Sequence, residues 1–373
     1  MAKRGEMEHI AEAESVVMVT AAAAAAATPA KVVVREEDAH HPYAFHVSGP
    51  RNVASPNWRD LVNSSWKNPN YKRTVMACFI QAAYLLELDR QEKRKKHNAL
   101  APKWWIPFKY KLSQTLVDER DGSIFGAVLE WDRAAAMADL VLIRPTGAPR
   151  GVLALRGTLL KTPTIRRDIE DDLRFLTRES LKGSARFKVA LEALRSVTQR
   201  YGSSNICIAG HSLGAGFALQ VGKAMAKEGL FVDAHLFNPP SISLAMSLRN
   251  IGERAGDAWK RFRSMLPGGN EPLVDNADEG TSSSSENISG LRKGEKASEE
   301  VKKWLPHLYV NDGDYVCCYY TDREAGKIFV VSKGKQKFLE AHRLEQWWSE
   351  DLEIQSAIHN SRLISQQLKS LYH

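Results

Sequence analysis

Apolar residues recur along this chain with two periods, and the changes from one to the other mark its elements. From about 71 to 96, "YKRTVMACFIQAAYLLELDRQEKRKK" repeats them every three to four positions, the period of a long helix packing one face. "GSIFGAVLEWD", "ADLVLIRPTG" and "RGVLALRGTL" are short β-rich runs that predict three strands, the third the most buried. The passage from Tyr110 to Asp121 carries no clear period of either kind. "TIRRDIEDDLRFLTRES" and "SARFKVALEALRSVTQRYG" predict two amphipathic helices. They lead into "NICIAG", an apolar run long enough for a buried strand and too short for a buried helix. Helical spacing resumes in "LGAGFALQVGKAMAKEG", with Gly229 as its stop. "FVDAHLFNPPS" predicts a strand ended by Pro239 and Pro240, and "LPHLYVND" and "GKIFVVSKG" predict two more.

Strand and helix alternate from about 150 to 240, which predicts an α/β fold: a mostly parallel central sheet with helices on both faces. Residues 241–303 interrupt that rhythm as an insertion. Its first part, "LAMSLRNIGERAGDAWKRFRSML", is helical in pattern, and about 265–302 is polar and glycine-rich enough to be mobile. Residues 1–30 form a low-complexity tail, 31–70 an N-terminal extension, 71–350 the main domain and 351–373 a C-terminal helical tail. Glutamates break the first 30 residues before any apolar core, so they read as a tail rather than a secretory leader. No apolar run approaches the roughly 20 residues that span a bilayer.

Composition changes this picture little. A formal charge of +8 over 373 residues is a mild basic excess. The densest basic run, 90–111, reads as the solvated end of a helix followed by an aromatic loop holding Trp104 and Trp105. As a nuclear-import or phosphate-binding patch it is weak, so nucleic acid is not expected as a partner. Four cysteines are present: Cys78 and Cys207 fall in apolar segments, and adjacent Cys317 and Cys318 would face opposite sides if extended. They predict neither a disulfide nor a metal pair, and they fit a reducing, cytoplasmic setting. There is no zinc spacing, P-loop or dinucleotide fingerprint, so no metal or cofactor is expected.

The candidate chemistry lies in "SSNICIAGHSLGAGFALQVG", where Gly210, Ser212 and Gly214 fit G-x-S-x-G. A strand that turns directly into a helix crowds both flanks of the turn, and residues without Cβ relieve that. The turn lifts Ser212 above the sheet, and the N–H of Leu213, at a helix start, faces the place where an oxyanion would form. A serine needs a base, and the base needs an acid to fix its tautomer; after such a turn they follow in the order acid, then histidine. Of His235, His307, His342, His359 and His373, His342 lies past the strand "GKIFVV", where the chain returns towards the sheet, and is the chosen base; His359 is second. "HLYVNDGDYVCC" offers Asp312 and Asp314 just beyond a strand, and position alone does not separate them. Gly157 and Thr158 follow a buried strand, where Thr158 could give a second oxyanion N–H.

Together, "VLALRGT", "ICIAGHSLGAGFALQVG", "LFNPPS" and "VNDGDYVC" resemble the class 3, fungal triacylglycerol lipase-like branch of the α/β-hydrolases. More closely they resemble a plant subgroup labelled GDSL esterase/lipase-like, although the nucleophile motif here is G-H-S-L-G and no N-terminal Gly-Asp-Ser-Leu block exists. The resemblance covers roughly 70–350. It implies an α/β-hydrolase fold with Ser212 as nucleophile, Leu213 and Thr158 as oxyanion donors and His342 as base. The family's Asn-x-x-Asp-Pro turn matches Asn311 to Asp314 and favours Asp314 over Asp312, though Tyr315 replaces the proline. The family's tryptophan after the oxyanion loop is missing from "LLKTPTIRRDIEDDL". The implied function is a serine carboxylic-ester hydrolase acting on a lipid or other acyl ester, with no cofactor and with room for peripheral membrane contact. The competing expectation is a hydrolase-fold protein that has lost turnover and binds a small ligand or protein partner. Oligomeric state is left open.

Overall fold

The computed structural model describes residues 41–159, 184–240, 299–311, 314, 317, 327–332, 338–349 and 354–359. The first long element is helix α1, Pro69–Gln91. Asn68 caps it by accepting from the N–H groups of Asn70 and Tyr71, and Pro69 opens its first turn. Two antiparallel strands follow, β1 (Tyr110–Val117) and β2 (Ile124–Trp131), and then β3 (Gly151–Leu155). Helix α2, Ala185–Tyr201, is capped by the Ser184 hydroxyl and stopped by Gly202 at φ 80°. Strand β4 (Ile206–His211) runs straight into helix α3 (Leu213–Lys227). Beyond them lie β5 (Asp233–Phe237), β6 (His307–Asn311), β7 (Lys327–Ser332), the short helix α4 (Phe338–His342) and β8 (Ile354–His359).

The eight described strands join one sheet in chain order, β1 to β8. β3 to β7 pair parallel, while β1, β2 and β8 add antiparallel margins. A parallel sheet that always advances in one direction keeps its right-handed crossover helices on one face. Accordingly α2 and α3 share a core with Leu153, Leu155, Ile208, Leu236 and Val310. The opposite face, with Val152, Ala154, Ala209 and Phe237, is covered by α1, which precedes the sheet in the chain. This is the α/β-hydrolase layout, with helices on both faces as the pattern predicts.

Three local expectations change. "ADLVLIRPTG" is not a strand: Arg133–Ala138 is a short helix, Leu140 takes φ 61°, and Leu140, Leu142 and Ile143 are exposed. β3 already has β2 and β4 on its two sides, so no pairing position is left there. The periodless passage at 110–117 is β1, an edge strand in which only Tyr110 and Leu116 are buried, too few to write an alternation. The C-terminal helical tail is corrected by β8, whose Ile354–His359 pairs antiparallel with β7 because "IQSAIH" can complete an otherwise open edge. The N-terminal extension supplies core residues, Ala44 and Trp66. Trp104 and Trp105 are buried, so the basic run ends inside the protein. The tail 1–30, the helix expected at 164–180 and the insertion's 241–298 lie outside the described residues.

Candidate active site

Every residue of β4 is buried, and the chain leaves it through Ser212 at φ 53° and ψ −126°. That conformation is disfavoured for a residue with a side chain. It is held by the Ser212 N–H, which donates to Phe237 O at 3.0 Å, and by the Ser212 carbonyl, which accepts from Ala215 and Gly216 as α3 begins. The flanking glycines are required by close approach. A Cβ on Gly210 would stand 2.5 Å from Gly214 O, and one on Gly214 would stand 2.5 Å from Arg156 O. Gly157, in the turn after β3, passes so close that its Cβ would meet that of Ser212 at 2.9 Å. Thr158, the next residue, is half-buried, and Leu213 is the first residue of α3.

His342 Nε2 lies 3.0 Å from Ser212 Oγ, and His342 Nδ1 lies 2.9 Å from Asp314 Oδ2. The structure therefore brings Ser212, His342 and Asp314 into one hydrogen-bonded chain. Asp314 is fully buried and His342 nearly so. Asp312 lies outside the described residues. His359 stands opposite Lys327 at the N-terminal end of β7, the far end of the sheet from Ser212. His235 and His307 also lie towards that far end, in β5 and β6.

Two buried groups around this chain escaped the reading of the sequence. Asn238, at φ 46° just beyond β5, donates from Nδ2 to Asp314 Oδ2 at 2.6 Å and to Ala341 O at 3.0 Å. Its Oδ1 accepts from Trp347 Nε1 at 2.6 Å. Asn238 thus ties the acid to the helix that ends in His342. Asn311 and Gln346 brace the same corner: Asn311 donates to Gln346 Oε1 at 2.6 Å, and Gln346 donates to Ala341 O and Arg343 O. The second group is Tyr84 of α1, whose hydroxyl accepts from Gly157 N–H at 2.8 Å and lies 2.8 Å from His211 Nδ1. His211 Nε2 is 2.8 Å from the carbonyl of His342. A carbonyl only accepts, so Nε2 carries the proton and Nδ1 accepts from the Tyr84 hydroxyl. Burial, reinforced by the neighbouring His342, moves His211 down to about 3, so it is neutral at ordinary pH. The only sequence signal for Asn238 is its place in "LFNPPS"; Tyr84 reads as one more apolar position on a helix.

A strained serine touching a histidine that touches a buried carboxylate can transfer a proton from the hydroxyl and leave a nucleophilic alkoxide. No family model matches the chain. It is 29% identical over 354 residues to an Arabidopsis thaliana protein named GDSL esterase/lipase, a match covering 84% of this chain and 97% of that one. Among solved structures it is similar to a lipase from Rhizopus microsporus var. chinensis, at 11% identity and a TM-score of 0.37, covering 84% of this chain and 83% of that one. It is also similar to lipase II from Rhizopus niveus, at 13% identity and a TM-score of 0.37, covering 79% and 87%. The plant relative carries the same label as the subgroup that the sequence motifs resemble.

Proposed function

We propose that this chain is a serine carboxylic-ester hydrolase that cleaves lipid or other acyl esters through an acyl-enzyme. The observation that carries the reading is the hydrogen-bonded chain from Ser212 Oγ through His342 to buried Asp314, set at a strained strand–helix turn. Ser212 Oγ attacks the ester carbonyl while His342 Nε2 takes its proton, and Asp314 holds the imidazole in the tautomer that leaves Nε2 free to accept. The carbonyl oxygen gains the negative charge, which the N–H groups of Leu213 and Thr158 receive. Collapse of that intermediate expels the alcohol, which takes the proton from His342. Water, deprotonated by His342, then attacks the acyl-serine and releases the acid.

The named plant relative supports ester hydrolysis as the reaction class. Cys78 and Cys207 are free and buried, which supports a reducing, cytoplasmic setting as part of the proposal. No described helix is long and apolar enough to cross a membrane. Peripheral lipid contact, if it delivers substrate, belongs at the Ser212 end of the sheet. The exposed Leu140, Leu142 and Ile143 lie in the β2–β3 connection, at the opposite end.

The test combines active-site labelling with kinetics on short and long acyl esters. A fluorophosphonate should label wild type and not Ser212→Ala. Ser212→Ala and His342→Ala should each lower kcat/KM by several orders of magnitude, and the double variant should be little worse than either. Asp314→Asn should cost roughly 10²–10⁴-fold while leaving the circular dichroism intact. Asp312→Asn should cost far less. Wild-type protein that neither reacts with the probe nor turns over any ester would favour a binding protein instead.

A further inference from the structure

At the end of the sheet away from Ser212, four residues with metal-ligating side chains meet on the face covered by α1. Cys207 of β4 is in register with Asp233 of β5, and His235, two residues on, is in register with His307 of β6. Alternation along a strand places Asp233 and His235 on the same face. One ligand atom each from Cys207, Asp233 and His235 lie within 4.8 Å of one another, the one such group among the described residues. Asp233 Oδ2 is 3.8 Å from Cys207 Sγ. Asp233 Oδ1 is 3.4 Å from His235 Nε2 and 3.5 Å from His307 Nδ1. Neither of those ring nitrogens makes an aligned hydrogen bond, although both are shielded from solvent. The two rings stack with centroids 4.8 Å apart and planes 4° apart.

A plain charge cluster, with Lys72 of α1 on one oxygen of Asp233 and the two imidazoles near the other, would account for the carboxylate but leaves neither ring nitrogen an aligned hydrogen bond. The spacings point further. Two nitrogen or oxygen ligands each about 2.0–2.1 Å from a tetrahedral zinc are about 3.4 Å apart, and a thiolate and an oxygen ligand are about 3.5 Å apart. The 3.4 Å from Asp233 Oδ1 to His235 Nε2 and the 3.8 Å from its other oxygen, Oδ2, to Cys207 Sγ are near those values. His235 is also oriented as a ligand should be, because its other nitrogen, Nδ1, is held 2.8 Å from the Tyr309 hydroxyl.

We propose that Cys207, Asp233 and His235 hold a zinc ion that ties β4 to β5, independently of Ser212, with the fourth tetrahedral position left to a water. One thiolate, one imidazole and one carboxylate suit a borderline cation better than magnesium or calcium, which prefer all-oxygen sets. In the metal-free chain the Lys72 ammonium neutralises Asp233, and the metal takes over that charge. The Cys207 proton leaves to solvent as the metal–sulfur bond forms. Asp233 and His307 are each 31% exposed and give the ion a way in.

The test uses the full-length, tag-free protein, stripped with a chelator and titrated with Co²⁺. One equivalent should bind and give a thiolate-to-cobalt charge-transfer band with strong tetrahedral ligand-field absorption; zinc should abolish both. Cys207→Ser should lose the charge-transfer band, and His235→Ala should weaken binding at least tenfold. Because those buried sites tolerate change poorly, Lys72→Gln serves as the third variant: removing the competing ammonium should tighten binding at least tenfold. The proposal is overturned by wild-type protein that shows no saturable cobalt spectrum, by a folded Cys207→Ser that keeps the charge-transfer band, or by Lys72→Gln with unchanged affinity.

Discussion

Ser212 and Asn238 are non-glycine residues at positive φ, at 53° and 46°, and they follow adjacent parallel strands. Each such position costs of order 1–3 kcal/mol, so it persists only where surrounding contacts over-determine it. For Asn238 those contacts are Asp314, Ala341 and Trp347, all buried. Asn238 touches no reacting atom; its proposed part is to position Asp314 and the end of α4. Truncation in Asn238→Ala leaves buried Trp347 Nε1 without its acceptor, at a cost of about 1–3 kcal/mol, while Asp314 keeps His342 and Ala341 O keeps Gln346. The expected result is a lower melting temperature and a kcat reduced by up to roughly 10²-fold, with KM little changed. Asn238→Asp has nearly the same shape and can still accept from Trp347, but it sets a second carboxylate against Asp314. It should be worse than Ala in kcat. A reversed order would mean that Asn238 only fills space. None of this was legible in "LFNPPS", where the prolines signal a strand end and the asparagine's partners come from a segment about a hundred residues away.

Helix α1 was legible because its apolar positions recur over a long run; its use was not. Every residue from Arg73 to Ala83 is buried, so the helix is covered all round there and not on one face as its pattern predicts. Tyr84 sits half-buried on that helix, and its hydroxyl joins the Gly157 turn to His211, which in turn holds the His342 carbonyl. One helix outside the parallel unit thus braces both the turn after β3 and the backbone of the proposed base. Tyr84→Phe keeps the ring and removes only this link, leaving Gly157 N–H and His211 Nδ1 without their hydroxyl. A stability loss of about 1–3 kcal/mol is expected by chemical denaturation, together with a fall in kcat on any ester substrate. Full activity in Tyr84→Phe would show that the turn and the histidine hold their places unaided. The elements that sequence reading missed share a cause. β1 and β8 are outer strands, whose pairing depends on what the rest of the sheet leaves open. Leu140, Leu142 and Ile143 read as a strand by composition, yet the sheet has no vacant edge at β3 to receive them.

Across the whole molecule, the sheet separates two polar clusters by the length of its parallel strands, about 16 Å for five residues. The Ser212 end was foreseeable because strand–turn–helix chemistry writes a local motif. The Asp233 end was not, because its four side chains come from three strands and become neighbours only through register. Both ends bury a histidine whose pKa burial lowers, and this shapes the acid response of the fold. His211 is brought from an ordinary 6.5 down to about 3, by burial first and His342 second; His235 is lowered too, by burial. Between those values the unfolded chain binds a proton that the folded chain refuses, so stability falls as pH drops below about 6.5. Each such histidine contributes a slope of at most about 1.4 kcal/mol per pH unit. Glu87 acts later. Burial alone would raise it, but Arg90, Gln91 and the Ile124 N–H outweigh burial and hold it to about 2. Its contribution is complete above its ordinary 4.5 and is lost as pH falls towards 2. The melting temperature of metal-free protein should therefore be level above about pH 7 and begin to fall between 6.5 and 5, before carboxylates protonate. His211→Asn should start from a lower melting temperature, since it disturbs the Tyr84 and His342 contacts, yet show a shallower decline across that window. A wild-type melting temperature unchanged from pH 7.5 to 5, or an equal slope in the variant, would mean that His211 takes up its proton without unfolding.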